Sequence, residues 1–428
     1  MLSNVSESLL GIADTMVIGR LGEEGLIGAI AIGAIIFSFL FWAFGFLRLS
    51  TGGFTAQANG ANDEKEIAAV LLRATSIGLI IGLLILFTQT WSRTLAFWWF
   101  ALQPALEGHA TTYFDIRIWS APAAMVTYVV LGWLVGLQRT GYVLVLQLVL
   151  NGTNIVLDVI FVYWLGWAVE GIAYATVIAQ WVTLILSFFM AYRLMPKVRL
   201  TKRELLDRDK FLVLLKANIN IMLRTLCLIF AFAEFSRQSE KMGTLTLDAN
   251  SVLLQFSSLA AHALDGFAHA AEGLCGAAIG AKSKTRLRDA FFKTSLWSGV
   301  FSVLIAVVFW FSGPLIIDSL TTNLSVRETA KEFLLWAVIF PPLAFASFQF
   351  DGLFFAATRA AEIRNAMFVS LMLYLAAIWA FTQFFGNHGL WLALALFMVL
   401  RAVTLVFYYP RIEAGLSSAN SAGAKARA

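Results

Sequence analysis

Apolar residues in this chain come in long unbroken runs rather than in alternation. The runs fall at 2–18, 25–47, 67–89, 115–137, 142–165 and 170–192. After a polar gap they continue at 211–233, 249–281, 291–318, 331–357, 364–385 and 388–409. About 20 apolar residues let a helix cross a bilayer core of about 30 Å. Only helices and closed barrels can span lipid, because the backbone finds no water there. The short alternating strands of a membrane barrel do not fit continuous runs of this length. The pattern therefore predicts an all-α polytopic membrane protein with twelve transmembrane helices. The first run starts at Met1 without the basic flank or cleavage-site pattern of a signal peptide. The first helix is accordingly expected to be truncated, with its true start upstream.

Composition supports the same class. Of 428 residues, 60% are hydrophobic and 13% charged, and mean hydropathy is +0.79. A soluble chain of this length would need far more polar surface.

Charge adds orientation. The gap at 193–210 carries Arg193, Lys197, Arg199, Lys202, Arg203, Arg208 and Lys210. Loops on the same side by parity carry Lys65, Arg139, Lys282, Lys284, Arg286, Arg288, Arg359 and Arg364. The other side has fewer basic residues. By the positive-inside rule the basic side is cytoplasmic, and both termini are expected there. The net charge of +5 expresses this rule, and no nucleic-acid partner is expected. The tail at 411–428 has the composition of a disordered segment. Cys227 and Cys275 lie inside apolar runs, as packing residues.

The chain also matches itself. Gly53, Ala58, Gly60 and Ala61 recur as Gly273, Ala278, Gly280 and Ala281, a shift of 220 (273 − 53). The same shift relates Pro122 to Pro342, Gly132 to Gly352, Arg139 to Arg359 and Gly166 to Gly386. It also sets Asp14 against Glu234. These matches point to a duplication. A shift that spans six helices preserves orientation, so the halves are expected to be parallel repeats. The expected organisation is a lobe at 1–205 (helices 1–6), a lobe at 206–410 (helices 7–12), and the tail. Two such lobes make an alternating-access transporter layout.

Polar residues interrupt the runs in stripes. In the fifth run Gln147, Asn151, Asn154 and Asp158 stand at i, i+4, i+7 and i+11. At about 100° per residue they share one helix face, within about 60°. In the eighth, His262, Asp265, His269 and Glu272 stand at i, i+3, i+7 and i+10. Asp14 lies in the first run and Asp351 in the tenth. The bland reading is that such groups pin helices together. The functional reading is stronger for the acids, since ionisable groups at membrane depth are costly and mark pathways. Low dielectric disfavours a charged carboxylate, so taking or losing a proton there changes helix packing. One charge crossing about 100 mV releases about 2.3 kcal/mol. That sustains roughly a fifty-fold gradient at about 1.4 kcal/mol per tenfold. Pro122 and the pair Pro341–Pro342 interrupt equivalent runs, as kinks or hinges.

Taken together, GIADTMVIGRLG, FWAFGFLRLSTGGFTAQANGA, LNGTNIVLD, LDGFAHAAEGLCGAAIGA and FDGLFFAATRAAEIRN resemble the multidrug and toxic compound extrusion family, in its DinF-type branch. The resemblance covers essentially the whole chain. It implies export of cationic or amphipathic organic compounds in exchange for H⁺ or Na⁺, with no enzyme activity and no bound cofactor or metal. It implies a multi-pass protein, expected as a monomer among the lipids of a bacterial inner (plasma) membrane. In the family an acid on helix 1, an Asn and Asp on helix 5 and a Thr on helix 6 form the first lobe's cation or proton site. These positions fall on Asp14, Asn154, Asp158 and Thr176. Sodium-coupled relatives use acids of the second lobe, for which Glu234, Asp265, Glu272 and Asp351 are the candidates.

Two rivals stand beside this reading. A lipid-linked precursor flippase of the same superfamily would want a cationic cavity, for which Arg48, Arg224 and Arg401 are the options at depth. An intramembrane metalloenzyme built on His262, Asp265 and His269 is remote. Residues i and i+7 are roughly 10 Å apart along a helix, too far for one zinc ion.

Overall fold

The computed structural model of the protein describes residues 26–99 and 104–416. Asp14 and residues 417–428 of the tail lie outside the described residues, whereas residues 411–416, expected as part of a disordered tail, are helical, with Ile412 and Leu416 buried and Glu413 paired with Lys284 and Arg288. The described chain is helical. Its helices are α1 (Leu26–Trp42), α2 (Phe46–Gly60), α3 (Glu64–Phe87), α4 (Gln89–Trp99), α5 (Pro104–Arg117), α6 (Ala121–Gly136) and α7 (Thr140–Val159). They continue as α8 (Val169–Leu194), α9 (Lys202–Leu205), α10 (Arg208–Lys241), α11 (Thr244–Gly280), α12 (Lys284–Leu320), α13 (Leu324–Ala356) and α14 (Ala360–Val406). The chain divides near residue 214 into two compact units.

Among the described residues nine helices are long and apolar enough to cross a membrane. Three of the twelve runs fall outside that count, each for its own reason. The run at 2–18 is not described. Helix α11 has ample length, at 37 residues, but its polar stripe keeps it out of the apolar set. The runs at 364–385 and 388–409 lie within α14 as two helices that meet at a kink at Gly386 (φ 52, ψ −128). An apolar run cannot reveal whether a break between two spans is a loop or a single residue's turn.

Each unit buries its own core. In the first, α3 packs on α6, α7 on α8, and α5 on α1 and α8. Rings of Phe37 and Phe114 stand 5.1 Å apart, and the fully buried Trp133 donates from its indole to the Ile67 carbonyl at 3.0 Å. In the second, α13 packs on α11, α12 and α14, around Phe235, Leu253, Tyr374, Trp391 and Phe397. Large apolar side chains such as Trp310, Phe311 and Leu315 remain exposed, as a lipid-facing surface requires. Pro122 stands at the start of α6 after a tight turn at Ile118–Ser120, whereas Pro341 and Pro342 lie inside α13.

The 220-residue repeat is written into the backbone. Left-handed turn residues occur in pairs at that shift: Asn62 (φ 54) and Lys282 (φ 53), Gln138 (φ 59) and Thr358 (φ 55), Gly166 (φ 67) and Gly386 (φ 52). The helix ends beside them match too. Asp63 N–H reaches the Ala58 carbonyl at 2.9 Å, and Ser283 N–H reaches that of Ala278 at 3.0 Å. Asp63 then caps α3 at the Glu66 N–H, and Ser283 caps α12 at the Arg286 N–H, in the way side-chain oxygens satisfy the free donors of a first turn. Asn, Gln, Lys and Thr hold equivalent bends, so residue identity is not what was kept. The hydrogen-bond geometry was.

The same shift relates two close helix crossings. A Cβ on Gly132 would lie 2.1 Å from the Arg48 carbonyl oxygen, and one on Gly352 would lie 2.3 Å from that of Ala268. Without a hydrophobic drive between helices in lipid, small residues let backbones approach and pack.

The segment between the units is fastened to the first. Thr201 and Glu204 form a reciprocal cap on α9. Arg73, buried on α3, donates to the Glu204 carbonyl at 2.9 Å and to the Glu66 carboxylate at 2.9 Å. Lys65 pairs with Glu204 at 2.8 Å, and Lys210 with Glu66 at 2.6 Å.

Gly132→Ala and Gly352→Ala are expected to push their helices apart and to cost about 1–3 kcal/mol each, the usual range for overpacking. Thermal unfolding of the purified protein in detergent should show a lower midpoint for both, and an unchanged midpoint would refute the crossing assignment.

Candidate functional site

Helix α7 turns its polar stripe inward. Gln147, Asn151, Asn154 and Asp158 are 0–6% exposed, while Leu148 and Val156 on the other side are 56% and 57% exposed. A soluble amphipathic helix does the reverse. In lipid the apolar face is the outer one, and polar groups must find partners within the protein. Past Asp158 the helix widens into a π turn at Ile160–Trp164, bends at Gly166 and re-enters as α8. This return brings Thr176 against the stripe.

Asn154, Asp158 and Thr176 form one cluster. With its amide nitrogen toward Asp158, Asn154 donates to Asp158 Oδ2 at 3.2 Å. Its amide oxygen then accepts from Thr176 Oγ1 and from the Thr176 backbone N–H, both at 3.2 Å. The opposite amide orientation gives only the Asn154–Thr176 bond, at 3.2 Å, so the network favours the first. The Thr176 hydroxyl also lies 3.1 Å from the Ile172 carbonyl. One turn along α7, the buried amide of Asn151 has no hydrogen-bond partner among the described residues for either of its polar atoms. Asp14, the fourth predicted member, lies outside the described residues.

The second unit arranges its acids differently. Asp351 on α13 receives two arginines on one oxygen. Arg224 of α10 donates to Asp351 Oδ2, and Arg401 Nη2 of α14 donates to the same atom at 2.7 Å. Asp265 of α11 lies within electrostatic reach of Arg401. Glu272 faces His269 Nδ1 at 3.4 Å. Glu234 accepts from Arg237 at 3.0 Å and from the Gln238 amide at 2.5 Å. Thus Asp265 and Asp351 share an arginine neighbourhood, and Glu272 and Glu234 each have their own partners. His262 Nδ1 lies 2.7 Å from its own helix at the Ser258 carbonyl, so His262 and His269 are engaged apart.

Two features escaped the sequence pattern. Arg224 and Arg401 were visible as cations at depth, but nothing in their spacing joined them to Asp351, 127 and 50 residues away. A second network centres on Asn250, which donates to Ser239 Oγ and Asn387 Oδ1 at 2.7 Å each and accepts from Asn387 and from the Trp391 indole. Asn387 directly follows the Gly386 bend, the only local hint of it.

Comparison with known proteins follows the fold. The MatE family model matches residues 1–160 and 220–380. DNA damage-inducible protein F of Escherichia coli (strain K12) is 38% identical over 416 residues, covering 96% of this chain and 89% of that protein. A probable multidrug resistance protein NorM of Rhizobium meliloti (strain 1021) is 24% identical over 440 residues, covering 98% and 93%. The crystal structure of MATE in the bent conformation superposes with a TM-score of 0.88 at 20% identity, covering 98% of this chain and 94% of that one.

Thr176→Val keeps the shape but removes the hydroxyl that Asn154 uses. Leaving a buried amide short of a partner costs about 1–3 kcal/mol. The expected result is a lower unfolding midpoint for Thr176→Val, and a combined loss for Thr176→Val with Asn154→Ala that is smaller than the sum of the two single losses. Additive losses in that double-mutant cycle would separate the two residues.

Proposed function

The chain belongs to the multidrug and toxic compound extrusion family, a family of transporters and not of enzymes, and from that premise we propose that it is a secondary active antiporter. In this reading it exports cationic or amphipathic organic compounds by alternating access, in exchange for protons. Asp14 and Asp158 carry the proton, and Asn154 and Thr176 set the environment of Asp158. The reading includes a place in a bacterial inner membrane with both termini cytoplasmic, in keeping with the Lys/Arg bias of the loops.

The observation that carries the proton assignment is the setting of Asp158. It is fully buried, and the Asn154 amide that donates to it is itself held by the Thr176 hydroxyl. Desolvation opposes the charge on a buried carboxylate while donated hydrogen bonds support it, and a group under both influences is suited to take and release a proton. Losing or gaining a proton then changes a full charge where dielectric screening is weak.

The second unit supports protons over sodium. Sodium would need carboxylate oxygens, and Asp351 already holds two guanidiniums on one oxygen. A sodium ion there would have to displace or face two positive charges.

A monocation exchanged for one proton moves no net charge, so the pH difference alone drives such an exchange. Ethidium efflux from proteoliposomes under an imposed pH gradient, without sodium, should be rapid for the unaltered chain. It should fall at least about tenfold in Asp158→Asn and Asp14→Asn, equal to a loss of about 1.4 kcal/mol of coupling. Efflux that persists in both variants would sink the first-unit proton site. Efflux that starts only on adding sodium would replace protons by sodium.

A further inference from the structure

The antiporter reading leaves the arginines of the second unit without a task. Their arrangement is unusual for a structural bridge. Side chains of Arg224, Arg401 and Asp351 are 11%, 2% and 6% exposed. Each guanidinium carries five N–H donors and no acceptor. Both donate through one terminal nitrogen to a single carboxylate oxygen, Asp351 Oδ2. Neither makes the two-pronged contact that arginine and carboxylate prefer.

Donors are therefore in excess. Arg401 Nη1 donates to the thioether of Met398 at 3.1 Å, a weak acceptor. The Nε atoms of Arg224 and Arg401 are both buried without a hydrogen-bond partner among the described residues. Asp265 offsets part of the charge on Arg401 from a distance. A second guanidinium on one carboxylate adds repulsion and desolvation, and a structural role needs only one. The walls are aromatic. Phe348 and Phe397 lie 5.5 and 5.9 Å from the Arg401 guanidinium, and Phe355 lies 5.8 Å from that of Arg224. Buried guanidinium donors without a partner, set beside aromatic rings, match the chemistry of an aromatic acid.

We propose that Arg224 and Arg401 form a subsite for the carboxylate of an amphipathic anionic or zwitterionic substrate, with Asp351 as the resident counterion that the substrate carboxylate replaces. This names a substrate class for the transporter and rests on the antiporter reading above. The incoming carboxylate takes the free Nε–Nη edges, and its ring takes the Phe348, Phe355 and Phe397 surface. Asp351 keeps the empty site neutral enough to fold and gives way when the substrate arrives. A cationic substrate gains nothing from this subsite.

The test uses the full chain purified in detergent and a matched pair of probes, 2-naphthoate and 2-naphthylmethyl-trimethylammonium. Binding is read by calorimetry, and thermal unfolding is read in parallel. Asp351→Asn removes the competing charge and keeps an acceptor of the same shape. It should bind naphthoate about tenfold or more tighter than the unaltered chain, since a charge-assisted contact is worth at least a factor of that size. Its unfolding midpoint should start lower and rise more with naphthoate, because a ligand that binds only the folded state stabilises it. Arg224→Gln should lower the ratio of naphthoate to ammonium affinity by about tenfold or more on the same scale, and Arg224→Lys should restore part of it. Equal naphthoate binding by the unaltered chain and Asp351→Asn, or loss of both probes alike in Arg224→Gln, would overturn the proposal and leave the triad a structural bridge. Should Asp351→Asn fail to fold, the Arg224 pair of variants decides alone. No ion gradient enters this assay. Failed ethidium efflux with the expected naphthoate pattern would therefore remove only the proton-coupling reading.

Discussion

Every polar group that this chain carries into the membrane has to be answered by another group of the same protein. No water stands ready in the hydrocarbon to take a stray N–H, carbonyl or carboxylate, and each unanswered group costs several kcal/mol. The described structure follows from that constraint. The backbone is spent on helices. Serines and threonines on those helices fold back on the carbonyl one turn earlier, as Thr51, Thr183, Ser239 and Ser370 do. Larger polar groups gather in a few networks rather than spreading out: the Asn154 cluster, the Asn250 cluster and the Asp351 triad. Among the described residues the rule is broken at a few atoms, such as those of the Asn151 amide and the Nε atoms of Arg224 and Arg401.

Duplication supplied two similar scaffolds, and the constraint was met differently in each. The left-handed turns, the caps and the close glycine crossings recur at the 220-residue shift. The buried chemistry does not. The first unit sets Asp158 against the Asn154 amide, which Thr176 holds from its other side. The second places Asp351 under two guanidiniums. The first carboxylate thus accepts from an amide, and the second accepts from two cations. One scaffold can carry two different buried polar sites in its halves without changing how helices pack.

Much of this was legible in the residue order, and the reasons are local. Run length announces a spanning helix because bilayer thickness sets a fixed demand. The stripe Gln147, Asn151, Asn154, Asp158 was readable because helical geometry puts i, i+4, i+7 and i+11 on one face, and all four are buried. Gly132 and Gly352 stood out as a repeated pair before any contact was known. The number of separate spans was less legible. At Gly386 a single residue's kink separates two helices where a loop would ordinarily stand, and the polar face of α11 disguises a long helix as a less apolar one.

The order of residues by itself determined the membrane class, the helical architecture, the repeat and the face each polar residue takes on its own helix, because these depend on hydropathy and on spacing along a single element. It could not determine who meets whom. Asn154 was one turn from Asp158 in any reading, but its meeting with Thr176 required the π turn and the Gly166 bend that bring α8 back. The convergence of Arg224 and Arg401 on Asp351 depends on three helices far apart in the chain packing in one register. Partnership across elements is decided by tertiary packing, since the energy of a buried charge depends on what lies a few ångströms away and not on what lies a few residues along.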